Sequence, residues 1–233
     1  MRSTSTAVGI TALNDSTELR SEPAVPHTPL TMNRLFKVLR VLRRPFTGLL
    51  MVVALAGCQH KQNWHLKNVT HIVAPLQFSM QSTAGGTATA KDFRGKLVML
   101  YFGYTHCPDV CPTTLAKLSS AIRQLGPQSK DVRVLFVTVD PKRDDIKTVI
   151  AYVNAFDPKH FVGLRGNAAA TEAIAKRYRV GYSYEKPDAS GNYVVNHSAA
   201  VFIFGRHGNA RLLGTEATPT KDFVVDLKQL LSD

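Results

Sequence analysis

Cysteine is scarce in this chain, three in 233 residues, too few for the disulfide framework that staples small exported domains. Compact basic blocks with interleaved aromatics are missing too. The net charge of +12 is scattered along the sequence, which argues against a nucleic-acid site. It fits solubility with attraction to anionic headgroups or an acidic protein partner. Internal repeats and low-complexity tracts are absent, so no solenoid or fibrous architecture is expected. The apolar run from Phe46 to Ala56 falls short of the roughly 20 residues that cross a bilayer comfortably.

The first 57 residues read as material to be trimmed. Residues 1–31 are polar and mixed, with Pro23, Pro26 and Pro29 close together and no periodicity. Met32 is followed by Arg34, Lys37, Arg40, Arg43 and Arg44, then by the apolar run and Leu55-Ala56-Gly57-Cys58. A basic region, a short apolar run and small residues before a cleavage point describe an export signal. Met32 is therefore expected to be the initiator, residues 1–31 an untranslated or disordered extension, and residues 32–57 the signal. Its ending resembles a bacterial lipoprotein signal, in which Cys58 would be acylated and carry the chain on the periplasmic side of the cell envelope. An uncleaved membrane anchor is the alternative. Residues 58–71 are expected to be a tether.

The folded part is organised around the stretch from Lys96 to Leu115. Leu97 to Phe102 is an apolar run of the kind that forms a strand buried on both faces, and Thr113 onward reads as a helix. Cys107 and Cys111 thus fall on a strand-to-helix turn. Pro112 suits the first turn of a helix and biases Cys111 away from helical geometry, so the helix is expected to start beside Cys111. Its free N–H groups would then favour thiolate and lower the thiol pKa.

Flanking segments follow the same logic. Val73 to Met80, with Pro75 near its start, reads as an edge strand, and Gly85-Gly86 as the turn into a second strand over Thr87 to Ala90. Leu115, Leu118, Ile122 and Leu125 recur at helical spacing before Gly126-Pro127. Val132 to Val139 is a second buried strand, ending in Asp140-Pro141. Helices follow over Ile146 to Phe156 and Ala168 to Tyr178. Alternating strand and helix implies right-handed crossovers and a largely parallel central sheet. The last third turns antiparallel, with Val180 to Glu185 and Tyr193 to Val195 flanking a polar loop. His197, strands at Ala199 to Phe204 and Ala210 to Leu213, and a helix through Leu231 complete the chain. The reading is an α/β, thioredoxin-like fold over residues 72–233, a mixed central sheet flanked by helices with an added N-terminal hairpin.

Three motifs carry a specific resemblance: Tyr101 to Leu115, Val137 to Asp144, and Asn196 to Ala200. In their order and separation the chain resembles the Sco (SenC) family, membrane-tethered thioredoxin-fold proteins that bind copper and help build the binuclear copper centre of cytochrome c oxidase. The resemblance implies Cys107, Cys111 and His197 as metal ligands and Asp140 as a supporting residue. It also implies the copper-binding oxidase subunit as partner, with other copper carriers or thiol-disulfide reductants upstream. Two departures stand out. Asp145 replaces the threonine usual after Arg-Asp, and the lipoprotein-like anchor replaces a transmembrane helix.

The chemistry of the three side chains supports that set. Two thiolates and one imidazole are a soft, sparse donor set that favours Cu(I) and can also accommodate Cu(II). Structural zinc usually takes four protein ligands, and only three candidates exist here. The site is therefore expected to be open, as a metallochaperone that passes its metal on requires. His197 needs an orienting partner, for which Asp140 or Asp109 is available. The competing reading is a thiol-disulfide oxidoreductase, with Cys107 attacking and Cys111 resolving. A peroxidase is disfavoured because Tyr104 stands where a Thr or Ser would precede the reactive cysteine, and a structural disulfide has no long loop to constrain. His106 either tunes Cys107 or faces water. His60, His65, His71, His160 and His207 are expected to be solvated, and Tyr101, Phe102 and Tyr104 to pack around the turn.

Overall fold

A computed structural model describes residues 63–232. Met32, the expected signal, Cys58 and the first part of the expected tether lie outside the described residues. In chain order the first strands are β1 (Lys67–Asn68), β2 (Ser79–Ser82), β3 (Thr87–Thr89) and β4 (Leu97–Gly103). Helix α1 (Val110–Gln124), β5 (Val132–Thr138), α2 (Ile146–Asn154), β6 (Phe161–Arg165) and α3 (Ala168–Arg177) make up the crossover region. The rest comprises β7 (Tyr182–Tyr184), β8 (Val195–His197), β9 (Val201–Phe204), β10 (Ala210–Gly214) and α4 (Thr220–Ser232).

Eight strands form one sheet in the order β1-β10-β9-β4-β5-β6-β2-β3, and β7 and β8 pair separately. β4, β5 and β6 run parallel, while β9 joins β4 antiparallel, so the sheet is mixed. Every residue of β4 is buried, as a run without polar alternation requires of a central strand covered on both faces. β5, rich in valine, is buried except at Arg133. Of the helices in this region, α2 and α3 are capped at their starts by side chains. Asp145 accepts the Thr148 N–H at 2.7 Å at the start of α2, and Asn167 accepts the Ala170 N–H at 2.9 Å before α3. The aspartate that departs from the family pattern is thus a helix N-cap, a role open to threonine as well.

Several expectations are corrected. The strand placed over Val73 to Met80 is confined to Ser79–Ser82 and is not an edge, because β2 pairs with β6 as well as β3. Residues 73–78 are held by other means. Arg177 and the Tyr178 hydroxyl donate to the Pro75 carbonyl, and the Leu76 N–H donates to the Gly208 carbonyl at 2.7 Å. β6, with Gly163 at its centre, has no counterpart in the sequence reading. Nor does β1, which pairs with β10. Leu66 and Val69 are 5% and 3% exposed, so the end of the expected tether packs against the domain.

Candidate metal centre

β4 ends at Gly103, and the chain turns through Tyr104 to Asp109 before α1. The Cys107 N–H donates to the Tyr104 carbonyl at 3.3 Å, and Thr113 N–H donates to the Asp109 carbonyl at 3.1 Å. α1 begins at Val110, so Cys111 is helical despite the proline after it. Pro112 sits in the first turn, where a missing N–H leaves no bond unmade. The Cys111 N–H points at the Cys107 sulfur, 3.4 Å away. Cys107 is partly exposed and Cys111 buried, and both are free thiols. Gly103 is required where it stands: a Cβ there would lie 2.8 Å from Cys111 Sγ and 2.9 Å from the Phe136 ring.

His197 arrives from the other side as the last residue of β8. Its Nε2 lies 3.2 Å from Cys111 Sγ, and its Nδ1 lies 3.2 Å from the Ser198 carbonyl. A carbonyl can only accept, so this contact places the proton on Nδ1 and leaves the Nε2 lone pair facing the sulfurs. Tyr101 and Tyr104 meet the imidazole edge-on, with ring centroids 6.2 and 5.9 Å away. They pack, as expected, but what they pack against is the histidine. The ligand atoms of Cys107, Cys111 and His197 lie within 4.8 Å of one another, close enough to share one metal ion.

The electrostatics reverse one expectation. Burial pushes the Cys111 thiol up to about 12, outweighing the hydrogen bond from the Tyr104 backbone. Burial also holds His197 below the ordinary histidine range. The metal-free site is therefore a thiol beside a neutral imidazole.

Asp140 is not the partner of His197. Its buried carboxylate accepts from Arg143 Nε and from the Tyr193 hydroxyl at 2.9 Å. Asp109, the other candidate, accepts from the Thr113 hydroxyl at 3.2 Å. The orienting contact of His197 is the neighbouring Ser198 carbonyl. Sequence reasoning missed Asp144, which is buried and accepts from the Thr105 N–H at 3.0 Å, the Thr105 hydroxyl at 2.6 Å and the Thr138 hydroxyl at 2.6 Å. Its place at the end of the second motif was the available signal. His106 is half-exposed with Nδ1 3.4 Å from Asp144. His160, expected in solvent, is 6% exposed and bonded to Asp157 at 2.7 Å. His65 contacts the buried Asp226 at 3.1 Å.

The SCO1/SenC family model matches residues 70–232. The chain belongs to the SCO1/SenC family. Among Sco relatives, the mitochondrial protein SCO2 homologue of Bos taurus is 41% identical over 133 residues, covering 56% of this chain and 50% of that protein. The chain thus spans about half the length of the curated relatives it matches. The crystal structure of Arabidopsis thaliana ScoI with copper bound is 33% identical with a TM-score of 0.63, covering 68% of this chain and 98% of that one. Apo Sco1 from Thermus thermophilus is 34% identical with a TM-score of 0.64, covering 73% and 99%. The fold is therefore the thioredoxin-like fold of Sco proteins.

Proposed function

We propose that this Sco protein binds copper through Cys107, Cys111 and His197 and delivers it to the copper-binding subunit of cytochrome c oxidase. The observation that carries the reading is the convergence of three soft or borderline donors within 4.8 Å. Cys107 reaches the surface, so an incoming ligand can replace it first while Cys111 and His197 still hold the ion. Similarity to an Arabidopsis ScoI solved with copper bound supports the choice of metal. Cu(I) suits the two sulfurs, and the imidazole extends the set toward Cu(II). Residues 32–58 support export and a lipid anchor at Cys58, which would hold the domain at the membrane that carries the oxidase. The Bos taurus relative is mitochondrial, so the periplasmic address rests on those residues of this chain alone.

The test is an anaerobic Cu(I) titration of the reduced protein against a competing chelator, with His197→Ala beside it. One tightly held copper per chain that weakens in the variant supports the reading. Unchanged stoichiometry and affinity in His197→Ala would eliminate the three-ligand site.

A second reading draws on the asymmetry of the pair, a partly exposed Cys107 and a buried Cys111. Cys107 thiolate would attack a disulfide of the oxidase subunit and expel one thiolate as the mixed disulfide forms. Cys111 would then attack the Cys107 sulfur, releasing the second partner thiol and leaving a Cys107–Cys111 disulfide. Two electrons pass to the partner, and an upstream thiol reductant restores the pair. His197→Ala should spare this exchange while weakening copper binding, which separates the two roles.

A further inference from the structure

His197 lies on the β7–β8 hairpin, which pairs with no strand of the main sheet among the described residues. Something else must fix that hairpin above the cysteine turn. Besides Tyr104, which bonds the Val195 backbone, several contacts converge on one short segment, Val139 to Arg143, between β5 and α2. The Tyr184 hydroxyl donates to the Val139 carbonyl at 2.6 Å, and the Tyr193 hydroxyl donates to Asp140 at 2.9 Å. Arg143 does most. Its Nε donates to Asp140, its Nη1 donates to the Tyr193 carbonyl at 2.8 Å, and its guanidinium stacks on the Tyr193 ring 3.5 Å from the centroid. The same group lies 5.5 Å from the Tyr104 ring, which itself packs on His197.

The far end of the segment reaches the cysteines. The Asp140 N–H donates to the Thr138 hydroxyl at 3.0 Å, and that hydroxyl donates to Asp144. Asp144 in turn holds Thr105, two residues before Cys107. One turn therefore ties the histidine hairpin to the cysteine turn.

We propose that Arg143 is a positioning residue that fixes the His197 hairpin over the cysteine turn, and so sets whether the imidazole joins the two sulfurs on one metal ion. The proposal rests on the three-ligand reading above. A planar fork that bonds in two directions and stacks on an aromatic face is not replaced by an ammonium. Arg143→Lys keeps the charge and loses that geometry.

The experiment is a double-mutant cycle in the full chain, reading Cu(I) affinity by chelator competition in the parent, Arg143→Lys, His197→Ala and the double variant. Arg143→Lys should weaken Cu(I) binding about 10-fold, the scale of lost support around a metal ligand. It should add nothing further in the His197→Ala background, because the ligand it positions is already gone. The reduction potential of the Cys107–Cys111 pair should stay at the parent value. Equal losses in both backgrounds, or a shifted potential, would mean general loosening and would overturn the proposal, as would an unchanged affinity in Arg143→Lys. Should Arg143→Lys not fold, Tyr193→Phe removes only the hydroxyl tie to Asp140 and is read through the same cycle. If His197→Ala alone leaves affinity unchanged, the three-ligand reading fails first; if only Arg143→Lys is silent, the positioning role alone fails.

Discussion

The imidazole Nε2 of His197 lies 3.2 Å from the Cys111 sulfur across 86 positions of sequence. No helix or strand contains both residues. The contact exists because β4 delivers the cysteine turn and a separate two-stranded hairpin delivers the histidine. On the proposed three-ligand site, metal affinity would depend on how two elements are held together, and the consequences can be measured.

Gly103 sets the first limit. A side chain there would press on Cys111 Sγ at 2.8 Å, Phe136 at 2.9 Å and Tyr101 at 3.1 Å. These neighbours are buried, so none can swing into solvent. Gly103→Ala should destabilise the domain by about 1–3 kcal/mol, the range for overpacking a core. It should also displace the Cys111 sulfur and weaken copper binding. Thermal unfolding beside a Cu(I) titration checks both, and a variant with parent stability and affinity would show that the turn has slack.

Proton competition gives the second. A copper-bound cysteine is a thiolate, whereas burial pushes the metal-free Cys111 thiol up to about 12. Binding therefore releases the Cys111 proton throughout the physiological range. Cu(I) affinity should rise with pH, by about tenfold per unit for each thiol proton released. His197 sits below the ordinary histidine range, so it is already neutral near pH 7 and steepens the dependence only in acid. Competition titrations at about pH 6 and about pH 8 read the slope directly. A flat profile would mean that Cys111 is not a ligand.

Much of this site is legible in sequence because its parts are local. An unbroken apolar run from Leu97 marks a central strand, and two cysteines after it must sit on the turn. The pairing of His197 with those sulfurs has no local signature and came from the resemblance of three motifs. Side-chain partners were the least legible. Asp140 and Asp144 lie four residues apart in one motif, and hydropathy cannot say which faces the site. In the structure neither touches His197. At Cys111 the helix-start argument for a low thiol pKa fails, because its desolvation is a tertiary effect that dominates. β6 escaped notice because Gly163 interrupts the apolar pattern of a five-residue strand, yet the Val149 side chain leaves no room for a Cβ there.

Asp144 tests the cysteine side of the connection. Its carboxylate is fully buried and accepts three hydrogen bonds, two of them from Thr105. Asp144→Ala leaves the buried Thr138 hydroxyl without its acceptor and removes both Thr105 bonds, while the partly buried Thr105 hydroxyl keeps its contact with His106 Nδ1, at a cost of roughly 1–3 kcal/mol. Because Thr105 leads into Cys107, the variant should also free that turn and shift the reduction potential of the cysteine pair. Arg143→Lys is expected to leave this potential alone. Denaturant unfolding and a thiol-disulfide redox titration check the two effects, and loss of stability with an unmoved potential would confine Asp144 to a structural role.

The last prediction concerns where the folded domain begins. Asp226, fully buried on α4, accepts the Leu66 N–H at 2.8 Å and the His65 N–H at 3.0 Å, with the His65 ring at 3.1 Å. This carboxylate clamps the segment that continues into β1 onto α4. In Asp226→Asn the amide end carries donors where the backbone also presents donors, so at least one contact becomes repulsive. The segment should detach at a cost of roughly 1–3 kcal/mol, freeing the backbone at the already exposed Lys67 for trypsin while the metal centre, on the turn between β4 and α1, keeps its copper affinity. Limited proteolysis read beside a Cu(I) titration distinguishes the outcomes. Faster cleavage after Lys67 with parent affinity supports a clamp confined to this segment, and a loss of copper binding would show that the clamp bears on the site itself.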